Sequence, residues 1–393
     1  ISSVSSTSSA NSVGIAMSGT TTSSTSNGAN CDDCAIMNNT INGRSLSGGM
    51  YYGITVIGQN GGGSGAQNVL VQGNEVRDHY LYGIYVNDAD GVKVWDNEVH
   101  RPTKSSTTTF YGVYITGDSY NGRIERNYIH SPQGTSTMTS TAYGLYSVAD
   151  VLQGQELLIA NNVVYNFVTN GTQYGIYMSS PEYNLVYHNT VSLDDNSFSG
   201  TSTTYGLYGT SNMIGTEILN NLISVSRTST GLSYGMYFST TNAILAAMNN
   251  NNVYVNANGT NYYGYYNTAH FTRSSFASAS NNQYETLSQD FAPLFTNPGA
   301  ANFQPQSPGF NNIGANLTAL VPQDITGFTR LTSPDPGAWE FDGAPNDAGI
   351  SQFTNPGLNF CPGNDSIFVR LTNPGSNALT SVNVGWNVNG VGQ

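Results

Sequence analysis

A tyrosine–glycine pair, with a second tyrosine two residues after the glycine, recurs through most of this 393-residue chain. It reads "LYGIYVND" at 81–88, "FYGVYITG" at 110–117, "AYGLYSVA" at 142–149, "QYGIYMSS" at 173–180, "TYGLYGTS" at 204–211 and "SYGMYFST" at 233–240. With Gly14 and Gly53 before these and Gly264 after them, the spacings from Gly53 onward are 30, 29, 32, 31, 31, 29 and 29 residues. A second marker, Asn-x-Val/Ile, runs in phase at 39–41, 74–76, 97–99, 127–129, 162–164, 189–191 and 221–223, and weakens at 251–255. Self-similarity at such a period means stacked repeats. The segments alternate with period two and favour β-branched and aromatic residues, while the residues that build helical arrays are scarce. The expectation is an all-β solenoid. About 30 residues per coil suit three short strands plus loops, giving about 9–11 coils, each hydrogen-bonded to the next at about 4.8 Å.

The phase assigns faces. The residue after each glycine is apolar (Ile54, Ile84, Val113, Leu145, Ile176, Leu207, Met236) and is expected to point inward. Strict alternation then sends Tyr85, Tyr114, Tyr146, Tyr177, Tyr208, Tyr237 and Tyr266 outward as an exposed aromatic column. The same alternation turns Tyr82, Tyr111, Tyr143, Tyr174, Tyr205, Tyr234 and Tyr263 inward. The outer column reads either as ladder stabilisation, neighbouring aromatic pairs contributing roughly 0.2–1 kcal/mol each, or as a ligand-binding strip, each ring offering an apolar face and a hydroxyl. Asn74, Asn97, Asn127, Asn162, Asn189 and Asn221 are expected at the corners, where Asn tolerates a left-handed backbone and can stack into a hydrogen-bonded ladder.

"YGIYVNDADGVKVWDNEVH" (82–100) resembles the repeat of right-handed parallel β-helix proteins of the pectate-lyase type, a likeness that covers about 10–343 of this sequence. "SPGFNNIG", "DITGFTR" and "SPDPGAWEFDG" resemble the closing turns (291–342) that end many secreted β-helices. The resemblance implies a single-stranded right-handed β-helix over 1–343. A Gly/Pro/Asn/Asp linker follows at 344–357. Residues 358–393, with "FCPGNDSIFVRLTN" and "LTSVNVGWNVNG", resemble the start of an immunoglobulin-like sandwich. A full sandwich needs about 100 residues, so the native polypeptide is expected to continue. This arrangement resembles type IX secretion cargo, and "DSI" at 365–367 resembles an O-glycosylation site of such bacteria. The chain opens "ISSVSSTSSA", with neither Met nor signal peptide, as expected of a processed or partial polypeptide.

Only 9% of residues are charged and the net charge is −13, which argues against a nucleic-acid partner. No run of 18 apolar residues is present to span a membrane. "CDDC" reads as a short-loop disulfide between Cys31 and Cys34, since structural zinc needs about four ligands; Cys361 is left over. No residue set with metal-ligand spacing stands out. Asp32, Asp33, Asp88, Asp90, Asp194 and Asp195 offer oxygens for Ca²⁺ but also suit turns.

Two functional readings follow. The first is an extracellular, bacterial cell-surface adhesin or display protein, without catalysis. Its partners would be carbohydrate or another surface ligand, the secretion and anchoring machinery, and further domains of the same polypeptide. Uniform Ser/Thr-rich stretches such as "KSSTTT" (104–109) and "GTSTMTST" (134–141) suit such a passive wall. The second is a secreted polysaccharide lyase or hydrolase acting on acidic polysaccharide. Three residues past successive corner asparagines stand Arg77, His100 and His130. With Arg126 they would supply the base and the cation that uronate chemistry requires.

Overall fold

Each repeat unit closes one turn of a right-handed parallel β-helix in the computed structural model, which describes residues 1–2, 9–17, 31–44, 48–58, 66–105, 108–135, 137–197, 200–211, 213–239, 245–341, 348–355, 366–373, 378–385, 387–388 and 391–392. Cys361 and Asp365 of "DSI" lie outside the described residues. A coil has three strands, as in Tyr82–Asn87, Lys93–Trp95 and Glu98–His100. Each strand pairs with its counterpart in the neighbouring coil, so three sheets form the walls. Among the described residues the first face holds nine parallel strands, from Val13–Met17 to Thr260–Tyr266. The second holds eight, from Ala35–Met37 to Ala247–Asn249, and the third eight, from Thr40–Asn42 to Asn252–Val255. Ile84, Val113, Leu145, Ile176, Leu207 and Met236 stand in one paired row and are buried.

Alternation breaks once per coil, at the glycine. Along Tyr82–Asn87 the two consecutive residues Gly83 and Ile84 are both buried, flanked by half-exposed Tyr82 and Tyr85. A Cβ on Gly83 would stand 2.2 Å from Val99 Cγ1 and 2.6 Å from the Gly112 carbonyl oxygen. The glycine therefore marks the place where the first face passes closest to the third, and only a hydrogen fits there. This overturns the inward assignment of Tyr82, Tyr111, Tyr143, Tyr174 and Tyr205, which are half-exposed beside the outer column.

The corners differ from expectation in a second respect. The left-handed residue is the one before each ladder asparagine: Asn38, Asp96, Arg126, Asn161, His188, Asn220 and Asn250 all have φ between 54° and 57°. The ladder asparagine itself turns inward. Its backbone N–H and Nδ2 both donate to Oδ1 of the next asparagine, as from Asn127 to Asn162 at 3.0 and 2.9 Å. Its second Nδ2 hydrogen goes to a second-face carbonyl one coil back, as from Asn162 to Ile124 at 2.8 Å. The column runs Asn39–Asn74–Asn97–Asn127–Asn162–Asn189–Asn221–Asn251 and ends on Ser288 Oγ and the Glu285 carboxylate.

The last rung slips by one residue. Tyr237 pairs with Tyr265 and Tyr234 with Tyr262, so Tyr263 takes the glycine's place and Gly264 the apolar one. Tyr266 consequently pairs with Phe238 and packs against the core, and Tyr265 completes the outer column in its stead. The buried Tyr263 hydroxyl donates to the Glu285 carboxylate. Strand Thr268–His270 then folds back antiparallel on Thr260–Tyr266. Helix Arg273–Ala279, capped by Thr272, lowers Phe276 onto the bare Gly264.

Residues 313–340, read as part of the closing turns, instead run back along the corner between the second and third faces. Val321 packs on Leu158, Ala160 and Tyr187. Asn161 and Asn220 donate to the carbonyls of Gln323 and Ala315 at 2.8 Å each. Buried Arg330 bonds Asn161 Oδ1 at 2.7 Å and the Glu340 carboxylate.

Residues 293–312 and 341–393 form a separate compact unit. In it Gly349–Asn355 pairs antiparallel with Phe368–Thr372, and Asn387–Val388 with Val391–Gly392. The first of these strands falls inside the stretch 344–357 read as linker. Its alternating "GISQFTN" outweighs the Gly/Pro/Asn content around it.

Candidate functional site

Two features of the β-helix surface carry chemistry. On the first face, the glycine break sets two tyrosine columns side by side. In one, consecutive rings from Tyr52 through Tyr82, Tyr111, Tyr143, Tyr174, Tyr205 and Tyr234 to Tyr262 stack with centroids 4.7–5.5 Å apart. In the other, Tyr85, Tyr114, Tyr146, Tyr177, Tyr208, Tyr237 and Tyr265 stack at 4.5–5.3 Å. Within a coil the two rings meet edge to face, as Tyr174 and Tyr177 do at 5.1 Å. Parallel-displaced stacks joined by edge contacts satisfy the ring quadrupoles in both directions. Burial, with the neighbouring phenols, pushes the Tyr114 and Tyr205 hydroxyls up to about 12, and an ordinary phenol is already neutral at pH 7. The strip is therefore uncharged near neutral pH.

On the third face, register brings Arg77, His100, His130 and Tyr165 into one row, with Glu75, Glu98 and Tyr128 in the row beside it. Inward Val76, Val99 and Ile129 separate the two rows. Carboxylates reach diagonally to the histidine one coil further on: Glu75 Oε1 lies 3.2 Å from His100 Nε2, and Glu98 Oε1 2.8 Å from His130 Nε2. The two imidazoles are 4.7 Å apart, and Tyr165 stacks on His130 at 4.6 Å. The hydrogen bond to His130 holds the Glu98 carboxyl below its ordinary range. Burial, with His130 beside it, lowers His100. One ligand atom from each of Glu98, His100 and His130 can be chosen so that all lie within 4.8 Å of one another.

Arg126 does not join this group. It occupies a left-handed corner position, bonds Asp96 at 2.7 Å and lies over the Trp95 ring. Arg77 stays at the edge, 3.6 Å from Glu75 and 3.7 Å from Asp78. Two cations the sequence did not single out are structural. Lys104 donates to the carbonyls of Arg44, Gly48 and Asp78 at 2.7, 2.9 and 3.3 Å. Arg101 donates to those of Pro132 and Tyr80 at 2.6 and 2.7 Å. Each ties successive Ser/Thr loops together. Only their place in those loops could have betrayed the role.

The aspartates act in turns: Asp33 and Asp88 are left-handed. Asp90 accepts from Asn121 at 3.0 Å, and Asp195 from the Ser197 amide at 2.9 Å. Cys31 and Cys34 are joined in a disulfide. Among the described residues no helix is long and apolar enough to cross a membrane.

Residues 2–192, just under half of the chain, match the family model described as NosD, periplasmic copper-binding protein. No curated protein and no solved structure gives a significant match. Copper can be tested against the residues present. Two imidazole nitrogens and a carboxylate oxygen form a borderline donor set that Cu²⁺ and Zn²⁺ both accept. The third-face cluster is such a set, and it lies within the matched segment.

Proposed function

We propose that this chain is an extracytoplasmic β-helix protein of the surface-display type that binds extended, uncharged polysaccharide along its paired tyrosine columns. One observation carries the reading: half-exposed phenol rings repeat on seven successive coils, from Tyr85 to Tyr265, along about 30 Å of one face, counting rungs of about 4.8 Å. Tyrosine gives a large, rigid contact at little entropic cost, with a hydroxyl for hydrogen bonding. A ladder with that period can engage a chain of repeating sugar rings unit by unit. The net charge of −13 and the neutral phenols favour an uncharged ligand over a uronate. The disulfide and the match to a periplasmic family support a location outside the cytoplasm. Attachment at a cell surface, an immunoglobulin-like continuation and type IX export belong to the same proposal.

Glycan-array screening followed by titration with the best neutral oligosaccharide tests it. Tyr177→Ala with Tyr208→Ala should cut affinity at least tenfold, while Tyr177→Phe with Tyr208→Phe keeps the rings stacked and separates ring contact from hydroxyl contact. Undiminished binding by the double alanine variant would remove the strip as the site. The enzymatic alternative rests on Arg77, His100 and His130. Turnover of a uronic-acid polysaccharide that is lost in His100→Ala would replace the binding reading.

A further inference from the structure

We infer that Glu98, His100 and His130 form a binding site for one divalent transition ion, Cu²⁺ or Zn²⁺, on the third face of the β-helix. The inference does not depend on glycan binding, which uses another face.

The register builds the site. His100 and His130 are Cα partners on adjacent strands, so their rings project from one row of the sheet. Glu98 projects from the same strand as His100, two residues earlier, and reaches diagonally to His130. The protein has five histidines. Among them His79 and His188 are fully buried, and His270 lies at the cap, beside the Tyr266 carbonyl. His100 and His130 alone come together, with ring centroids 4.7 Å apart.

The donor chemistry fits. Two histidines and a glutamate make a set that zinc takes with one position left open, and Cu²⁺ binds such sets more tightly still. Metal–ligand bonds of about 2.0–2.2 Å place ligand atoms roughly 3–4 Å apart. The three atoms already lie within 4.8 Å of one another. Side-chain rotation therefore suffices, since the strand pairing fixes the backbone. The His130 ring is oriented from its other side: Nδ1 lies 2.9 Å from Ser131 Oγ, which accepts from Asn166. A hydrogen-bonded second ring nitrogen is the usual support of a metal-ligating histidine.

The local charge also suits a cation. Glu75 and Glu98 supply two carboxylates against one guanidinium, Arg77. The imidazole side chains are 10% and 11% exposed, whereas Glu98 is 48% exposed. The ion would reach buried nitrogens past an open carboxylate.

The test titrates Zn²⁺ into chelator-stripped protein carrying Cys361→Ser, so that no sulfur at that position contributes to binding, and records electron paramagnetic resonance of the Cu²⁺-loaded form. The expected result is one equivalent bound, with hyperfine structure from two nitrogens. His130→Gln and His100→Gln should each weaken binding at least tenfold and leave one coupled nitrogen. Glu98→Gln should weaken binding and keep both nitrogens. Where a histidine variant fails to fold, Glu98→Gln decides by the loss of the Zn²⁺-induced rise in Tm. Unchanged affinity in the histidine or glutamate variants, a spectrum without two nitrogens, or no binding at micromolar ion would each overturn the inference.

Discussion

Asn162→Ala tests the inner ladder where it is most enclosed. The side chain is fully buried and makes four hydrogen bonds. Its Oδ1 accepts from the Asn127 amide and from Asn127 Nδ2; its Nδ2 donates to the Ile124 carbonyl and to Asn189 Oδ1. Alanine leaves both Asn127 donors without their Asn162 acceptor and the Ile124 carbonyl without its side-chain donor. Each orphaned buried group costs about 1–3 kcal/mol, so two to three of them cost about 2–9 kcal/mol. Asn189 Oδ1 is spared, because the residue-162 amide still donates to it at 3.0 Å. At the first described rung, Asn39 donates to Met37 and Asn74 from a part-exposed position, and Asn74 Oδ1 keeps the Asn39 amide. Asn39→Ala should therefore cost about 1 kcal/mol or less. Stacked coils need not unfold in one step, so the measurement of choice is hydrogen exchange at the Asn127 amide. At about 1.4 kcal/mol per factor of ten, its protection should fall by at least about one and a half orders of magnitude in Asn162→Ala. Protection within tenfold of the parent, or an equal loss from Asn39→Ala, would refute the ladder argument.

Further outcomes follow from the same contacts. Gly144→Ala would place a methyl 2.5 Å from the Gly175 carbonyl oxygen and 2.6 Å from Val164 Cγ1, so a loss of several degrees in Tm is expected; Gly154→Ala, with nothing within 4 Å but φ +84°, should cost only about 1 kcal/mol of backbone strain. His188 is fully buried, with Nδ1 at the Asp335 carbonyl and Nε2 facing the Asn220 amide, and burial and Arg330 hold its pKa well below the ordinary value. The unfolded chain protonates this group near pH 6.5 while the folded one does not, so stability is full above that pH. It should fall on acidification by about 1.4 kcal/mol per pH unit from this group. A denaturation midpoint whose pH slope between 7.5 and 5 is the same in His188→Gln would contradict this.

The period and the corner asparagines were legible because a stacked architecture writes its contacts directly into the spacing. Gly83 pairs with no distant unknown; it meets the next coil about 30 residues on. What failed was strict alternation across the glycine. Tyr82 and Tyr85 share a face because the close approach of Val99 forces two successive residues inward, and a pattern of period two contains no sign of that pressure. The slip at the last rung had the same root. "NYYGYY" offers two candidate registers, and the choice is made by Phe276 filling the space over Gly264. His100 and His130 could be stacked from sequence, since both stand three past an asparagine. The place of Arg126 could not, because its corner conformation and its bond to Asp96 depend on the neighbouring coil. The return of residues 313–340 along a distant corner rests on contacts such as Arg330 to Asn161, which no local pattern announces.

A tube of near-identical rungs has no built-in length, and its terminal strand is an invitation for another molecule to continue the pile. The reversed strand Thr268–His270 answers that invitation on the first face by occupying the free hydrogen-bonding side of Thr260–Tyr266. A protein that removed this doubled-back piece, for instance by deleting 268–276, would offer fresh molecules a sticky flat end. It would be expected to grow into fibres.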